Sequence, residues 1–247
     1  MYGDFAAWYD KMMRTADYDV WADYLDSFLR EQDARAVLEA GCGTGSIACR
    51  LAKKGYSLIA SDISEDMLMA ARSKMMAAGL RFPILCQDMN ALSVHKPVDA
   101  VISVCDGVNY LPDGPERFFT AAWRCLKPGG LLLFDISSEY KLSHTLASCS
   151  FSDSDAEWAY ICDCSFDAAD RTLLMELTCF VQQGKLFRRF FETHRQRAYS
   201  AEELRNALTG SGFIDINIYS CFTRSMPEAD SERIQFTARK PYREADL

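Results

Sequence analysis

Ala36-Val37-Leu38-Glu39-Ala40-Gly41-Cys42-Gly43-Thr44-Gly45-Ser46 sets the pattern that the rest of the chain follows. A short apolar run that ends in glycines reads as a buried strand leading into a tight turn. The glycines let the backbone turn sharply and let a ligand approach it closely. Ser46 to Lys54 then reads as a helix with Ile47 and Leu51 turned inward. Such a strand–glycine–helix turn serves both dinucleotide and nucleoside binders. The dinucleotide spacing G-x-G-x-x-G would need a glycine at Ser46, and it is absent.

Outward from this turn, apolar strands alternate with helices. Ser57–Asp62, Arg81–Gln87, Val98–Cys105 and Gly130–Ile136 read as strands. Ser64 caps a helix from about Glu65 to Ala78, which Gly79 stops, and Pro115–Cys125 is helical. On the Glu65–Ala78 helix, Met67, Leu68, Ala71 and Met75 form a core-facing stripe. Near-continuous apolar strands separated by helices predict an α/β fold, with a mostly parallel sheet covered on both faces. Ligands of such folds sit at the carboxyl ends of the strands. That singles out Ala40–Gly45, Asp62, Asp88 and Cys105–Asp106. Asp62 ends the second strand, 21 residues after Gly41, where an acid meets a ribose diol.

From Glu139 to Arg197 the rhythm changes. Trp158–Phe166, Thr172–Val181 and Leu186–Arg197 read as antiparallel strands, with a hairpin turn at Gln182–Lys185. Leu173, Met175, Leu177, Cys179 and Val181 alternate with polar residues, so one face is buried. Ser200–Glu203 opens a late helix with a capping box, and Phe213–Phe222 and Ile234–Arg239 close the chain as strands. The expected organisation is an N-terminal helical cap (1–33), a core (34–138 and 198–247) and a β-rich, acceptor-side lid inserted at 139–197.

The 247 residues carry 27 Lys plus Arg against 35 Asp plus Glu, a net charge of −8, with 49% apolar types. This is the composition of a globular protein with a real core, and its acidity weighs against a surface that grips nucleic acid throughout. No stretch approaches the roughly 20 apolar residues of a membrane span. The start carries two Asp and no cation before Lys11, unlike a signal peptide. A cytoplasmic setting with reduced thiols is therefore expected for the ten cysteines. Cys162 and Cys164 share a strand face, but no second pair completes a zinc set, so no metal is expected.

Five motifs in order resemble those of class I S-adenosylmethionine-dependent methyltransferases: Glu39–Gly45, Asp62-Ile63-Ser64, Gln87-Asp88-Met89, Val98–Ser103 and Leu126–Gly130. The start Tyr2–Asp10 and the stretch Cys105–Leu111 resemble a bacterial small-molecule-type subgroup, in which N-terminal aromatic helices lie over the cofactor. The resemblance implies a Rossmann-like fold with a seven-stranded sheet, S-adenosylmethionine as methyl donor and S-adenosylhomocysteine as product. It implies that Gly41, Cys42 and Gly43 pass under the methionine part and that Asp62 accepts the ribose hydroxyls. Ile63 and Met89 would sandwich the adenine, with Met67 nearby and Asp88 on its amine. Cys105 and Asp106 would lie near the sulfonium, with Tyr9 and Trp21 closing the pocket.

Methyl transfer from a sulfonium is a direct displacement in which the protein mainly orients two atoms. A base is needed only for a protonated acceptor, and Asp106, Tyr110 and His194 are the candidates. Asn109 and Tyr110 are candidates to line the acceptor pocket. A small-molecule acceptor is the leading expectation. The basic segment Lys185, Arg188, Arg189, Arg195, Arg197 keeps an RNA- or protein-modifying methyltransferase as an alternative, although strand alternation splits its arginines between two faces. A non-catalytic cofactor-binding module is a third.

Overall fold

The computed structural model describes residues 3–242, apart from the side chains of residues 3–5 and 7. Strands β1 (Ala36–Ala40), β2 (Ser57–Asp62), β3 (Ile84–Cys86), β4 (Val98–Ser103), β5 (Leu126–Ser137), β10 (Ile214–Ser220) and β11 (Arg233–Arg239) form one sheet, in the order β10-β11-β5-β4-β1-β2-β3. Pairings among β1 to β5 are parallel, and β11 runs antiparallel to both β5 and β10. The strand order reverses direction at β1 and β4, so their carboxyl ends border the crevice where such sheets bind ligands.

Both faces are covered. Helices α2 (Tyr18–Glu31) and α3 (Ser46–Lys53) pack Leu25, Phe28, Ile47 and Leu51 on Val37, Ala100 and Ile102. On the other face, α5 (Glu116–Cys125) and α6 (Ala201–Gly210) pack Phe118, Phe119, Leu204 and Leu208 on Leu38, Val101, Phe134 and Phe236. Helix α4 (Glu65–Ala77) starts at Ser64, whose hydroxyl accepts the Met67 amide. The capping box of α6 is complete, Ser200 and Glu203 each holding the other's amide.

A second, antiparallel sheet joins β6 (Ser150–Ser154), β7 (Trp158–Asp167), β8 (Thr172–Gln183) and β9 (Leu186–Arg197) in chain order. Its inner face carries Trp158, Cys179 and Val181 against Met12 of α1 (Gly3–Met12) and Met67 of α4. The alternation expected for 173–181 is present.

Several boundaries differ from the sequence reading. β3 is shorter because Pro83 precedes it and cannot donate to a ladder. β4 stops at Ser103 because Cys105 and Asp106 take left-handed φ of 60° and 57°. β5 begins earlier: Leu126 pairs with Val98, residues 127–130 form a bulge within the strand, and Leu131 lies opposite Ala100. β6 is additional. Asp99 accepts the amides of Arg35 and Ala36 at 2.9 and 2.7 Å and an ion pair from Lys127, tying the foot of β1 to β4. None of the described helices is long and apolar enough to cross a membrane.

Candidate functional site

The site is assembled from loops at the carboxyl ends of β1 to β4. After β1, Gly41, Gly43 and Gly45 all hold positive φ, which side chains rarely adopt. Gly41 packs closely: a Cβ there would lie 3.4 Å from Met89 Sδ. Gly45 has no side chain to cap α3. The Glu39 carboxyl reaches the Ala48 amide instead, from a fully buried position that pushes its pKa up to about 8.

Asp62, at the end of β2, accepts the Gly43 amide at 2.8 Å and the Ser64 amide at 2.9 Å. Its carboxylate thus fixes the glycine turn to the start of α4. Ile63 beside it is 67% exposed, an apolar platform at the mouth of the crevice. Asp88 caps the turn Met89–Ala91 by accepting the Asn90 amide. Met89 lies between the glycine turn and Gly107, whose added Cβ would meet its Sδ at 3.8 Å.

At the end of β4, the Asp106 carboxylate accepts Arg233 at 2.9 Å on one oxygen and Gln196 on the other. The Asp106 amide donates to Asp135 at 3.1 Å, and Arg233 also pairs with Asp135. Burial raises the Asp135 pKa to about 6, against the pull of Arg233. Asp106 is therefore the joint between β4, β5, β9 and β11, with both oxygens engaged. Asp106, a base candidate from sequence, thus serves as an anchor held by two strong partners.

Tyr110 ends the short helical turn Gly107–Tyr110, and its hydroxyl lies 3.3 Å from His194 Nδ1. The three base candidates are thus brought together. Tyr9 lies near Tyr18, Cys105, Asp106 and Tyr110, and burial pushes its pKa well above the usual phenol range. Trp21 is 5% exposed, edge-on to Phe222 and beneath the Arg233 guanidinium. Met67 is buried under α1, and Cys42 is buried behind the glycine turn among Ala48, Ala60 and Leu68.

Asn109 does not line an acceptor pocket. It is buried, donates to the Ser137 and Arg197 carbonyls and accepts the Ser137 amide, clamping β5 to β9. Sequence reasoning missed Asp10, Lys74, Asp135, Gln196 and Arg233. Asp10 accepts the Thr44 hydroxyl at 2.6 Å and pairs with Lys74 at 2.7 Å, fastening α1 to the glycine turn. Its only sequence signal is an acid one residue after Tyr9. Cys162 and Cys164 lie side by side, with sulfurs 3.9 Å apart. Among the described residues no cluster of His, Cys, Asp and Glu could hold a metal ion. A groove of about 760 Å3 between Asn90–Val94 and α5 contains none of the residues singled out above.

A family model described as a methyltransferase domain matches residues 37–130. The chain is 37% identical over 246 residues to "Putative methyltransferase GWCH70_2453" of Geobacillus sp. (strain WCH70), covering 97% of this chain and 99% of that one. It is 35% identical to "Putative methyltransferase YqeM" of Bacillus subtilis (strain 168), covering 97% of each. An S-adenosylmethionine-dependent methyltransferase of Clostridium acetobutylicum ATCC 824 superimposes with a TM-score of 0.88 at 31% identity, over 97% of this chain and 99% of the other. The chain belongs to the class I S-adenosylmethionine-dependent methyltransferases. The fold is shared more widely: the sugar N-methyltransferase KedS8 of Streptoalloteichus matches with a TM-score of 0.78 at 20% identity, over 94% and 91% of the two chains.

The site of this methyltransferase suits its cofactor. Asp62 keeps further lone pairs beside its two backbone bonds, enough to accept ribose hydroxyls. Exposed Ile63 offers an apolar surface for a base, and a positive φ at each of three glycines brings bare backbone to the crevice.

Proposed function

We propose that this methyltransferase transfers the methyl group of S-adenosylmethionine to a small-molecule acceptor held between α1, the Gly107–Tyr110 turn and the inner face of the second sheet. When bound, the cofactor supplies a methyl group activated by a sulfonium. Gly41, Cys42 and Gly43 hold its methionine part, and Asp62 holds the ribose through charge-assisted hydrogen bonds. Ile63 and Met89 flank the adenine, and Asp88 meets its amine. Tyr9 covers the reacting end beside Cys105, while Trp21 supports Arg233 and so orients Asp106. Met67 seats α1 over the pocket.

The observation that carries this reading is the convergence of Asp62, the glycine turn and Met89 at the strand ends, with Tyr9 lying beside Tyr18, Cys105 and Tyr110, and Tyr110 beside His194. The basic residues of the insert are divided between its faces. Arg189 is exposed on the opposite face of β9 from His194 and Gln196, stacked on Phe191, with Arg195 on that outer face by alternation, whereas Arg188 shares the inner face with His194 and lies over Phe190. This division disfavours a polyanionic substrate gripped by one face of the hairpin. The test is incubation with methyl-labelled S-adenosylmethionine and, separately, the small-molecule fraction, total RNA and protein of a bacterial extract. Label is expected in the small-molecule fraction. Label in RNA or protein alone would overturn the assignment of acceptor class.

A further inference from the structure

Tyr110 and His194 form a hydrogen-bonded pair that joins two distant parts of the chain. Tyr110 follows the left-handed Cys105-Asp106 corner, and His194 projects from the inner face of β9, opposite Met175. Their rings meet edge-on, with centroids 5.9 Å apart. Two residues along the same face, Gln196 holds the Asp106 carboxylate, so the register of β9 sets His194 within that carboxylate's field. Tyr110 remains 42% exposed and can meet a substrate while its hydroxyl faces the imidazole.

Building on the methyltransferase reading above, we propose that Tyr110 and His194 form a proton relay for an amine acceptor. The bound ammonium passes one proton to the Tyr110 oxygen as the Tyr110 hydroxyl proton moves to His194 Nδ1, and the imidazolium, which Asp106 faces, returns its proton to solvent. The freed amine nitrogen then forms a bond to the methyl carbon as the carbon–sulfur bond breaks, and that electron pair stays on sulfur. Protons and charge balance: one positive charge leaves with the proton, and the other passes from sulfur to the methylated nitrogen.

Two observations favour an amine over an alcohol. Burial lowers the His194 pKa, and a weakened imidazole is a poorer match for an alcohol's strongly held proton than for the more acidic proton of an ammonium. Tyr9, Tyr18 and Tyr110 offer π faces and neutral hydroxyls to a cation, and burial keeps the Tyr9 and Tyr18 phenols un-ionised.

The experiment compares wild type, Tyr110→Phe and His194→Ala. Methyl transfer from labelled S-adenosylmethionine to the small-molecule extract fraction is measured at saturating cofactor. Binding of S-adenosylhomocysteine is measured by calorimetry, and ring-nitrogen NMR follows the imidazoles. Both variants are expected to bind S-adenosylhomocysteine as wild type does and to transfer methyl about a hundredfold more slowly. Tyr110→Phe is expected to move the Nδ1 resonance of His194, and fragmentation of the labelled product should place the methyl on nitrogen. Transfer at the wild-type rate by either variant, or a methyl on oxygen or carbon, would overturn the relay. Failure of wild type to bind S-adenosylhomocysteine would instead overturn the reading beneath it.

Discussion

Arg233 shows how much of this site depends on single charges. Its guanidinium lies between Asp135, which is fully buried, and Asp106. Removing one member of such a pair strands the others without solvent, at a cost of about 3–5 kcal/mol. Arg233→Met is therefore expected to lower the urea midpoint sharply at pH 8 and less at pH 5, because the Asp135 carboxyl, already raised to about 6, can then fold protonated. An equal loss at both pH values would contradict this. Glu39 gives the matching case of a carboxyl with a raised pKa. Unfolded, it ionises near its ordinary 4.5; folded, it holds its proton to about 8. Its native state thus binds more protons across that window, and stability falls as pH rises through it. Glu39→Gln, which keeps an acceptor for the Ala48 amide, is expected to gain about 2 kcal/mol or more over wild type between pH 5 and pH 8. A difference that does not change with pH would show that Glu39 is ionised in the fold. Asp62 and the glycine turn were legible from sequence because each sits at a strand end that its own neighbours define. The Arg233–Asp135–Asp106 cluster was not. Its members are 98 and 127 residues from Arg233, and only the antiparallel return of β11 beside β5 unites them.

Helices and strands carry the next layer of control. α1 is fastened by Asp10 to Thr44 and Lys74 and by Lys11 to Glu157 in the turn before β7, and Arg14, just after α1, pairs with Asp153 of β6. These outer pairs are exposed and contribute little to stability. Asp10 lies at the glycine turn, so its loss bears on the cofactor more than on folding. Asp10→Ala is expected to speed S-adenosylhomocysteine release, read by stopped-flow fluorescence, with a small change in Tm. An unchanged release rate would separate α1 from cofactor retention. Asn109 is the stronger structural element. It satisfies three backbone groups of β5 and β9 in a buried position, and Asn109→Ala is expected to cost about 2–4 kcal/mol in denaturant unfolding. A cost under about 1 kcal/mol would contradict the clamp. From the sequence this asparagine reads as a pocket or turn residue, because its partners lie 28 and 88 positions away. The alternation of β8 was legible because period two is written in the chain itself. The early start of β5 was not, since a Pro-Gly-Gly run reads as a turn whether or not one residue before it joins a sheet.

At the scale of the whole molecule, two sheets divide the work. The mostly parallel sheet gathers the glycine turn, Asp62 and Asp106 at its strand ends, and the antiparallel sheet brings one face, with His194 and Gln196, against Tyr110 and Asp106. The join between them is Asp106, held from β9 and β11 at once. Sequence revealed the first sheet almost completely, because each motif is local to one strand and its turn. It revealed the strands of the insert but not which face would meet the core, since that depends on how the insert folds back. In the proposed assignment, Asp62 holds an adenosyl ligand in the crevice at the strand ends. Calorimetric titration of S-adenosylhomocysteine into wild type and Asp62→Ala tests it most directly. One site per chain is expected in wild type, with affinity lowered in the variant by about 1.5–3 kcal/mol for each charged hydrogen bond lost. The same dissociation constant for both proteins, or no heat of binding in wild type, would contradict it.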